Sequence, residues 1–377
     1  MAKYPVVVYG ASGYTGMLIM DWLIDQQIPF TAVARNAARV KEMMAERVVR
    51  LESATFEIVE AEHTVASLAK AFRGAKVVCT TVGPFAQYGA TTVEAALEAG
   101  CHLLDTTGEQ SYVLDMRDRY GERYRQAGLL LSPSTAYMYT FAEIAAELAL
   151  ETPGIDCIET GTLCRGTRFT AAGVTVGSTA SIFGMARLKQ QYLWEKQLVE
   201  HPVTACFNVV DPNFMQPIFS LPWSGTSLPV FFQHDARVRS CISTVGFYDN
   251  DVMKLAHGFF QKWEAEFKDL PAEHQDAILK AAVDSTTPSM PPRERTTTVR
   301  TVDFAIGRGQ LAAVRATVHG VTAYISTGAL QAAAAIKLLD GETNRVGFAS
   351  ACKAFGHRYL LGFLEQRGLA RATVTQL

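Results

Sequence analysis

Residues 6–23 read VVVYGASGYTGMLIMDWL. A run of β-branched residues gives way to Gly10, Gly13 and Gly16 at intervals of three, and an apolar helical pattern follows at once. A strand that enters such a turn and leaves it as a helix has a physical use. Gly10 permits the tight turn, Gly13 lets a pyrophosphate approach the backbone, and Gly16 lets the helix pack close to the sheet. N–H groups around Gly13, Tyr14 and Thr15 then point at the phosphates, helped by the helix dipole. Glycines alone are weak evidence, but here a strand precedes and a helix follows, which is the context the motif requires. The first interval is one residue longer than in G-x-G-x-x-G. A structural turn without ligand is the plain alternative.

Outward from this turn, strand and helix patterns alternate. Strand patterns fall at 5–10, 30–35, 55–62, 76–82, 102–107 and 129–134, with helical patterns at 14–26, 36–46, 64–72, 89–99 and 111–127. The strands are short and apolar on both faces, as in a buried parallel sheet. The spacing predicts an α/β fold with a Rossmann-type doubly wound parallel sheet over residues 1–131. Residues 132–341 read as a second α/β domain with a mixed sheet, serving substrate binding or dimerisation. Its strand-like runs are 157–164, 205–210, 228–233, 237–247 and 311–326, and its helical runs 141–150, 178–199, 251–268 and 326–341. STTPSMPPRERTTT (285–298) reads as a surface loop. A helix over 348–368 is expected to return, with residues 342–377, onto the first domain.

The end of the second strand reads Ala34-Arg35-Asn36, and Arg35 lies 19 residues after Gly16. An NAD-preferring site places Asp or Glu there to bond the ribose 2′-hydroxyl. Arg35 would instead welcome a 2′-phosphate through a bidentate, charge-assisted contact. Asn36 and Arg39 accompany it as candidate contacts, and the cofactor expected is NADP. The alternative is a solvated helix start. The fourth strand ends TTVGPFAQYG (80–89). Ligands in this fold lie outside the carboxyl ends of the strands, so Thr81, Val82, Gly83 and Pro84 should border the cofactor, with Phe85 as a wall on the nicotinamide side. The fifth strand ends DTTGEQ (105–110), which brings Asp105 and Glu109 toward the same crevice, although Asp105 also suits a cap.

The formal net charge of the 377-residue chain is -2, and 19% of residues are charged, which argues against a nucleic-acid binder. Seven cysteines without C-x-x-C spacing suit a reducing, cytoplasmic setting and offer no zinc site. The start MAKYPVVVYG does not read as a signal peptide, and no apolar run reaches the roughly 18–20 residues of a spanning helix.

GASGYTG, ARN with the following RV, TTVGPFAQYG and EAALEAGCHLLDTTGE together resemble the amino-terminal domain of saccharopine dehydrogenase-like oxidoreductases, a group that includes bacterial trans-acting enoyl reductases. The resemblance is strong across residues 5–130. Farther on it continues through LPWSGTSLPVFFQHDARVRSC (221–241) and TGALQAAAAIKLL (327–339) to less characterised bacterial members. It implies an NADP-binding domain and a second domain that supplies the substrate pocket. By position it puts cofactor contacts on Gly10, Ser12, Gly13, Tyr14, Thr15, Gly16, Arg35, Val82, Gly83 and Pro84. After the sixth strand many relatives carry a Gly-Phe-Asp-Ser-x-Pro-Ser-Asp type segment, whereas this chain has Ala136-Tyr137-Met138-Tyr139-Thr140-Phe141-Ala142-Glu143. That departure speaks against amino-acid substrates and for a flatter, more apolar one.

Hydride transfer is the cofactor's chemistry, and the protein supplies position and a proton. Candidate donors are Tyr137, Tyr139, Glu109 and Tyr88, with His234 beside Asp235 as a weaker one that reads as a surface turn. Tyr192-Leu-Trp-Glu-Lys196 matches Y-x-x-x-K of short-chain dehydrogenases, with Ser178 and Ser181 upstream. It falls far from the place that family uses, and an amphipathic helix is the simpler reading. His357 reads as a packed histidine.

Three functions compete on this reading. One is reduction of an activated C=C, C=O or C=N bond of a hydrophobic small molecule. Another is a saccharopine-like dehydrogenase of an amino-acid-derived imine, gripping carboxylates with Arg165, Arg168, Arg237 or Arg239. The third is a non-catalytic NADP(H) sensor. A homodimer is an open alternative to a single chain.

Overall fold

The four residues of β1, Val6–Tyr9, are all buried, as a strand covered on both faces requires. The structure, a computed structural model, describes residues 1–166, 174–222, 227–287, 289–297 and 299–377. The other strands are β2 Phe30–Ala34, β3 Phe56–Glu60, β4 Val77–Thr80, β5 His102–Asp105, β6 Leu130–Ser132, β7 Ile155–Arg165, β8 Gln190–Trp194, β9 Gln197–His201, β10 Phe207–Val210, β11 Pro217–Leu221, β12 Ser240–Phe247, β13 Arg300–Gly309, β14 Ala313–Gly320, β15 Gly347–Phe348 and β16 Ala370–Gln376. The helices are α1 Tyr14–Asp25, α2 Ala37–Arg47, α3 Val65–Phe72, α4 Phe85–Ala99, α5 Gln110–Gln126, α6 Tyr137–Leu150, α7 Val176–Gly184, α8 Ser227–Phe232, α9 Asn250–Lys262, α10 Ala272–Thr286, α11 Tyr324–Leu339, α12 Ala351–Phe355 and α13 His357–Glu365.

The chain divides into two compact units, of which the first holds residues 1–107, 112–140 and 323–367. Its strands lie in the order β15-β6-β5-β4-β1-β2-β3, and every neighbouring pair is parallel. This is the doubly wound α/β architecture that the alternation predicts. Strand order reverses between β1 and β4, and the crevice beyond the strand ends at such a point is where this topology takes a ligand. Helix α11 crosses α1 closely. A Cβ on Gly328 would stand 2.7 Å from the Leu18 carbonyl oxygen, and the Trp22 indole donates to the Ile325 carbonyl at 3.0 Å.

The second unit holds residues 108–111, 141–322 and 368–377. Its sheet runs β10-β11-β12-β7-β13-β14-β16, with the β8–β9 hairpin attached to β12. Among the described residues only β12 and β7 are parallel there. Leu163, Ile218, Val302 and Phe304 form a core cluster, and the Phe304 ring lies over Gly161, where a Cβ would come within 2.5 Å of it.

Several boundaries differ from the sequence expectation. Residues 132–140 and 323–341 belong to the first unit rather than to the domain expected over 132–341. The reason lies in α11, whose residues Ser326–Ala335 are all buried; a helix buried all round needs neighbours on every side. Conversely, residues 368–377 do not return to the first unit, because β16 pairs antiparallel with β14 along the second sheet. The helix expected over 348–368 is broken at Gly356, which holds φ +87° between α12 and α13. The helix expected over 178–199 stops at Gly184, and the aromatic-rich remainder forms the β8–β9 hairpin, with Glu195 and Lys196 both at positive φ in its turn. The run 228–233 is helical in α8, since a short apolar run does not by itself distinguish strand from helix. The strand expected over 311–326 ends at Gly320, before α11. Helix α10 and strands β11, β13 and β16 had no counterpart in the sequence pattern. Pro288 and Thr298 of the expected loop lie outside the described residues.

Candidate functional site

The glycine turn sits at the carboxyl end of β1, next to the strand-order reversal. Gly10 holds φ +90°, and a Cβ there would come within 2.6 Å of Thr81 Oγ1. A Cβ on Gly16 would stand 2.4 Å from the Gly10 carbonyl oxygen, so the helix reaches the turn only because that position is bare. The Gly13 N–H donates to the Gly10 carbonyl at 2.9 Å and closes the turn. Gly13 is the N-cap of α1, and no side chain caps the helix. The N–H groups of Tyr14, Thr15 and Gly16 lie in the first turn, where a helix offers no internal acceptor. Uncapped donors at the positive end of a helix dipole make an anion cradle. Ser12 and Thr15 are partly buried, while the Tyr14 ring turns inward against Tyr324, with centroids 5.1 Å apart. A contact from Tyr14 to such an anion would therefore come from its backbone. These features fit a dinucleotide pyrophosphate.

At the end of β2 the three candidate contacts separate. Arg35 is exposed, and no acid pairs with it among the described residues. The Asn36 side chain is occupied as the N-cap of α2, accepting from the Arg39 N–H at 2.8 Å. The Arg39 guanidinium pairs with Glu42 at 2.9 Å. Of the two arginines, Arg35 alone keeps an uncommitted guanidinium among the described residues. Glu60, at the end of β3, accepts from the Ala37 N–H at 3.0 Å.

The ends of β4, β5 and β6 are tied together from below. Thr81 donates its N–H to the Tyr9 carbonyl at 3.0 Å, and Val82, Gly83 and Pro84 follow, partly buried, with a cis Gly83–Pro84 peptide. The wall expected of Phe85 is not there. Its ring is 6% exposed and packs on Tyr112 at 5.6 Å, because α4 begins at Phe85, four residues earlier than its sequence pattern. Tyr112 in turn donates to Asp105 Oδ2 at 3.0 Å. The other oxygen of Asp105 accepts from the N–H groups of Thr107 and Ser134, each at 2.9 Å. The buried Asp105 is thus a brace for two strand ends rather than a group facing the crevice. Gln331 of α11 reinforces it by donating to the carbonyls of Asp105 and Thr135.

Of the candidate proton donors, Tyr137 is 2% exposed and opens α6, where its N–H is received by Thr327 Oγ1 at 3.0 Å. Tyr139 is partly buried in the same turn. The Tyr88 ring packs edge-on against His63, 5.2 Å away, on the β3 side of the sheet. Glu109 lies in the second unit, 2% exposed, and accepts from Ser181 Oγ at 2.8 Å. Its neighbour Gln110 exchanges two hydrogen bonds with the backbone of Gln191. His63 and Tyr9 were missed in the sequence. A lone histidine just past the third strand was the available signal.

The remaining motifs resolve as structure. Tyr192 and Lys196 fall on a hairpin strand and in its turn, not one turn apart on a helix, so the short-chain dehydrogenase arrangement is absent and the amphipathic-helix reading is also wrong. The Tyr192 ring packs on His201, 4.5 Å away. His234 is exposed at a turn. Arg237 bridges Glu147 and Asp235 at 2.8 and 2.7 Å, Arg239 pairs with Asp156 and Glu195, and Arg165 lies over the Tyr248 ring. Arg168 lies outside the described residues. His357 is partly buried at the start of α13. Among the described residues no helix is long and apolar enough to cross a membrane.

Comparison with known proteins follows the two halves. Residues 10–108 match a family model described as NAD(P)H-binding, and residues 140–376 match one described as a family of unknown function, DUF5938. The first third of the chain is homologous to saccharopine dehydrogenase-like oxidoreductases. It is 27% identical over 147 residues to the mouse protein of that name, an alignment covering 36% of this chain and 34% of the relative. A Mycobacterium tuberculosis protein named as a candidate trans-acting enoyl reductase is 33% identical over 132 residues, covering 33% and 30%. A lipid droplet localized protein of Caenorhabditis elegans is 30% identical over 136 residues, covering 34% and 32%. The chain thus matches about a third of the length of these relatives. The fold is that of apo saccharopine dehydrogenase (L-Glu forming) from Saccharomyces cerevisiae, with a TM-score of 0.61 and 11% identity over 99% of this chain and 100% of the other.

Proposed function

The chain belongs to the family of unknown function DUF5938, and from that footing we propose that it is an NADP(H)-dependent oxidoreductase. We infer that it reduces an activated double bond of a hydrophobic small molecule, with an enoyl or enone C=C favoured over C=O or C=N. One observation carries the reading: an uncapped helix start built on Gly10, Gly13 and Gly16 stands at the strand-order reversal, with the unpaired guanidinium of Arg35 at the end of the next strand. The homology to proteins named as oxidoreductases supports the reaction class, and the relative named for enoyl reduction supports the C=C bond.

When bound, the nicotinamide supplies the hydride. The chain's own residues have other tasks. The first-turn N–H groups of α1 hold the pyrophosphate. Arg35 takes the 2′-phosphate, and Thr81 to Pro84 border the cofactor. Tyr139, partly buried in the first turn of α6, is the leading proton donor, with Tyr137 and Glu109 behind it. Tyr88, whose ring packs edge-on against His63, ranks after these. The imine-dehydrogenase reading is weakened by Arg237 and Arg239, whose guanidinium groups are tied to acids of this chain.

The test is NADPH oxidation against a panel of enones, imines and ketones. Turnover of an enone above the others is the expected result. Tight NADPH binding without turnover of any member contradicts the enzymatic reading and favours a sensor.

A further inference from the structure

Three side chains converge beside Arg35, on the β3 side of the sheet. The Tyr9 hydroxyl and His63 Nδ1 are 2.7 Å apart, and the two rings are parallel within 6° at a centroid distance of 6.1 Å. The Tyr88 ring closes on His63 edge-on at 5.2 Å. His63 Nε2 is shut off from solvent and has no hydrogen-bond partner among the described residues. The imidazole is therefore held in one orientation by groups that come from β1 and α4. A phenol both donates and accepts, so the Tyr9–His63 bond serves either charge state of the ring with the roles exchanged.

Tyr9 from β1 and Tyr88 from α4 face His63, and Arg35 at the end of β2 stands near enough to act on it through charge. Burial pushes the Tyr9 hydroxyl up to about 12, so it keeps its proton. Burial holds the imidazole below its usual range, and the positive charge of Arg35 lowers it further. The nearby Tyr88 backbone, not in bonding geometry with Nε2, opposes both. The Glu60 carboxylate is engaged on the Ala37 N–H. A free chain at neutral pH thus carries a neutral His63 beside a cationic Arg35. A phosphate seated on Arg35 reverses this field, since a phosphate monoester carries close to two negative charges above about pH 7.

We propose that His63 is the proton-coupled second cation of the 2′-phosphate subsite, so that binding NADP(H), but not NAD(H), draws a proton onto its imidazole. The proposal rests on the reading that Arg35 takes the 2′-phosphate. It makes His63 a specificity-determining residue that acts through charge, with Tyr9 as its positioning residue. The sign follows from linkage. The bound state holds the proton more tightly than the free state, so NADPH affinity is lost as pH rises toward the bound-state pKa. The phosphate cannot mimic this effect, because contact with Arg35 favours its ionised form and would release protons rather than take them up.

The experiment is calorimetric titration of the full chain with NADPH and with NADH at pH 7.5, each in two buffers of different ionisation enthalpy. Dissociation constants are also measured from pH 7 to 8.5. The expected result is uptake of roughly half a proton with NADPH and almost none with NADH, with NADPH affinity falling about three- to ten-fold over that range. The His63→Gln variant, whose amide can still accept from Tyr9, should bind NADPH with neither proton uptake nor pH dependence. Preferential NADPH binding with no proton uptake overturns the proposal and leaves the Arg35 reading standing. Equal binding of the two cofactors overturns both. Should the variant not fold, the wild-type comparison of the two cofactors decides alone.

Discussion

The polar groups of the two units are of different kinds. In the first unit the glycine turn offers backbone groups: the N–H donors in the first turn of α1, where Gly10, Gly13 and Gly16 carry no side chain and no side chain caps the helix. In the second unit polar side chains are paired with one another. Thr162 donates to Asp303 and Thr160 to Ser243, each at 2.8 Å, while Arg237 spans Glu147 and Asp235. A backbone site is fixed by a few bare positions and tolerates nothing added to them. A network of paired side chains holds a scaffold together and tolerates the loss of any member at some cost in stability. Damage to the first kind should therefore appear in ligand binding, and damage to the second in unfolding.

The sharpest way to break this contrast is at Gly16. In Gly16→Ala the new Cβ would meet the Gly10 carbonyl oxygen at 2.4 Å, and overpacking costs about 1–3 kcal/mol. Titration should show both NADPH and NADH weakened by up to ~100-fold. Unchanged binding would mean that the cradle is not the site. Next comes Arg237→Ala, which leaves the buried Glu147 and Asp235 carboxylates without their cation. Because Arg237 is itself 45% exposed, the cost should be about 1–2 kcal/mol in denaturant unfolding, with NADPH affinity unmoved. A loss of cofactor binding in that variant would erase the distinction between the two regions.

A pH experiment sharpens it further. Burial pushes His201 down to about 4, below the ordinary 6.5. The unfolded chain takes up that proton first, so stability is full above pH 6.5 and falls as pH drops from 6.5 toward 4. Thermal melts should show this loss as a shift of about 2–4 °C for each kcal/mol involved. His201→Gln should flatten it. Tyr192→Phe should do least. Its hydroxyl stands on a hairpin strand, and turnover should stay within about two-fold, well under the 100-fold or more that removal of a positioned proton donor brings.

The same contrast explains what the sequence made legible. Short runs such as Val6–Tyr9 and Val77–Thr80 betray a buried parallel sheet because every residue is apolar or β-branched. The glycine turn is legible because only glycine satisfies Gly10 at φ +90° and the close approach at Gly16. Phe85 misled because an aromatic after a Gly-Pro pair looks like a wall, while the helix start turns it inward onto Tyr112. Asp105 was ambiguous because its three donors come from Thr107, Tyr112 and Ser134, the last of them 29 positions away. Tyr192 and Lys196 deceived by spacing, since i and i+4 are neighbours only on a helix. His63 went unnoticed because its partner, Tyr9, is 54 residues earlier. Contacts of that range exist only once strands β1 and β3 are placed in one sheet.

The central claim, that the turn at Gly10–Gly16 and the guanidinium of Arg35 form one NADP site, is tested most directly by the ratio of NADH to NADPH dissociation constants, measured in the wild type and in Arg35→Ala. A charge-assisted contact contributes about 1.5–3 kcal/mol, which is roughly 10- to 100-fold in affinity. The account predicts NADPH bound tighter by about that factor in the wild type and a ratio near one in the variant, with NADH affinity unchanged between the two proteins. NADH bound as tightly as NADPH by the wild type, or a preference that survives loss of Arg35, would contradict it.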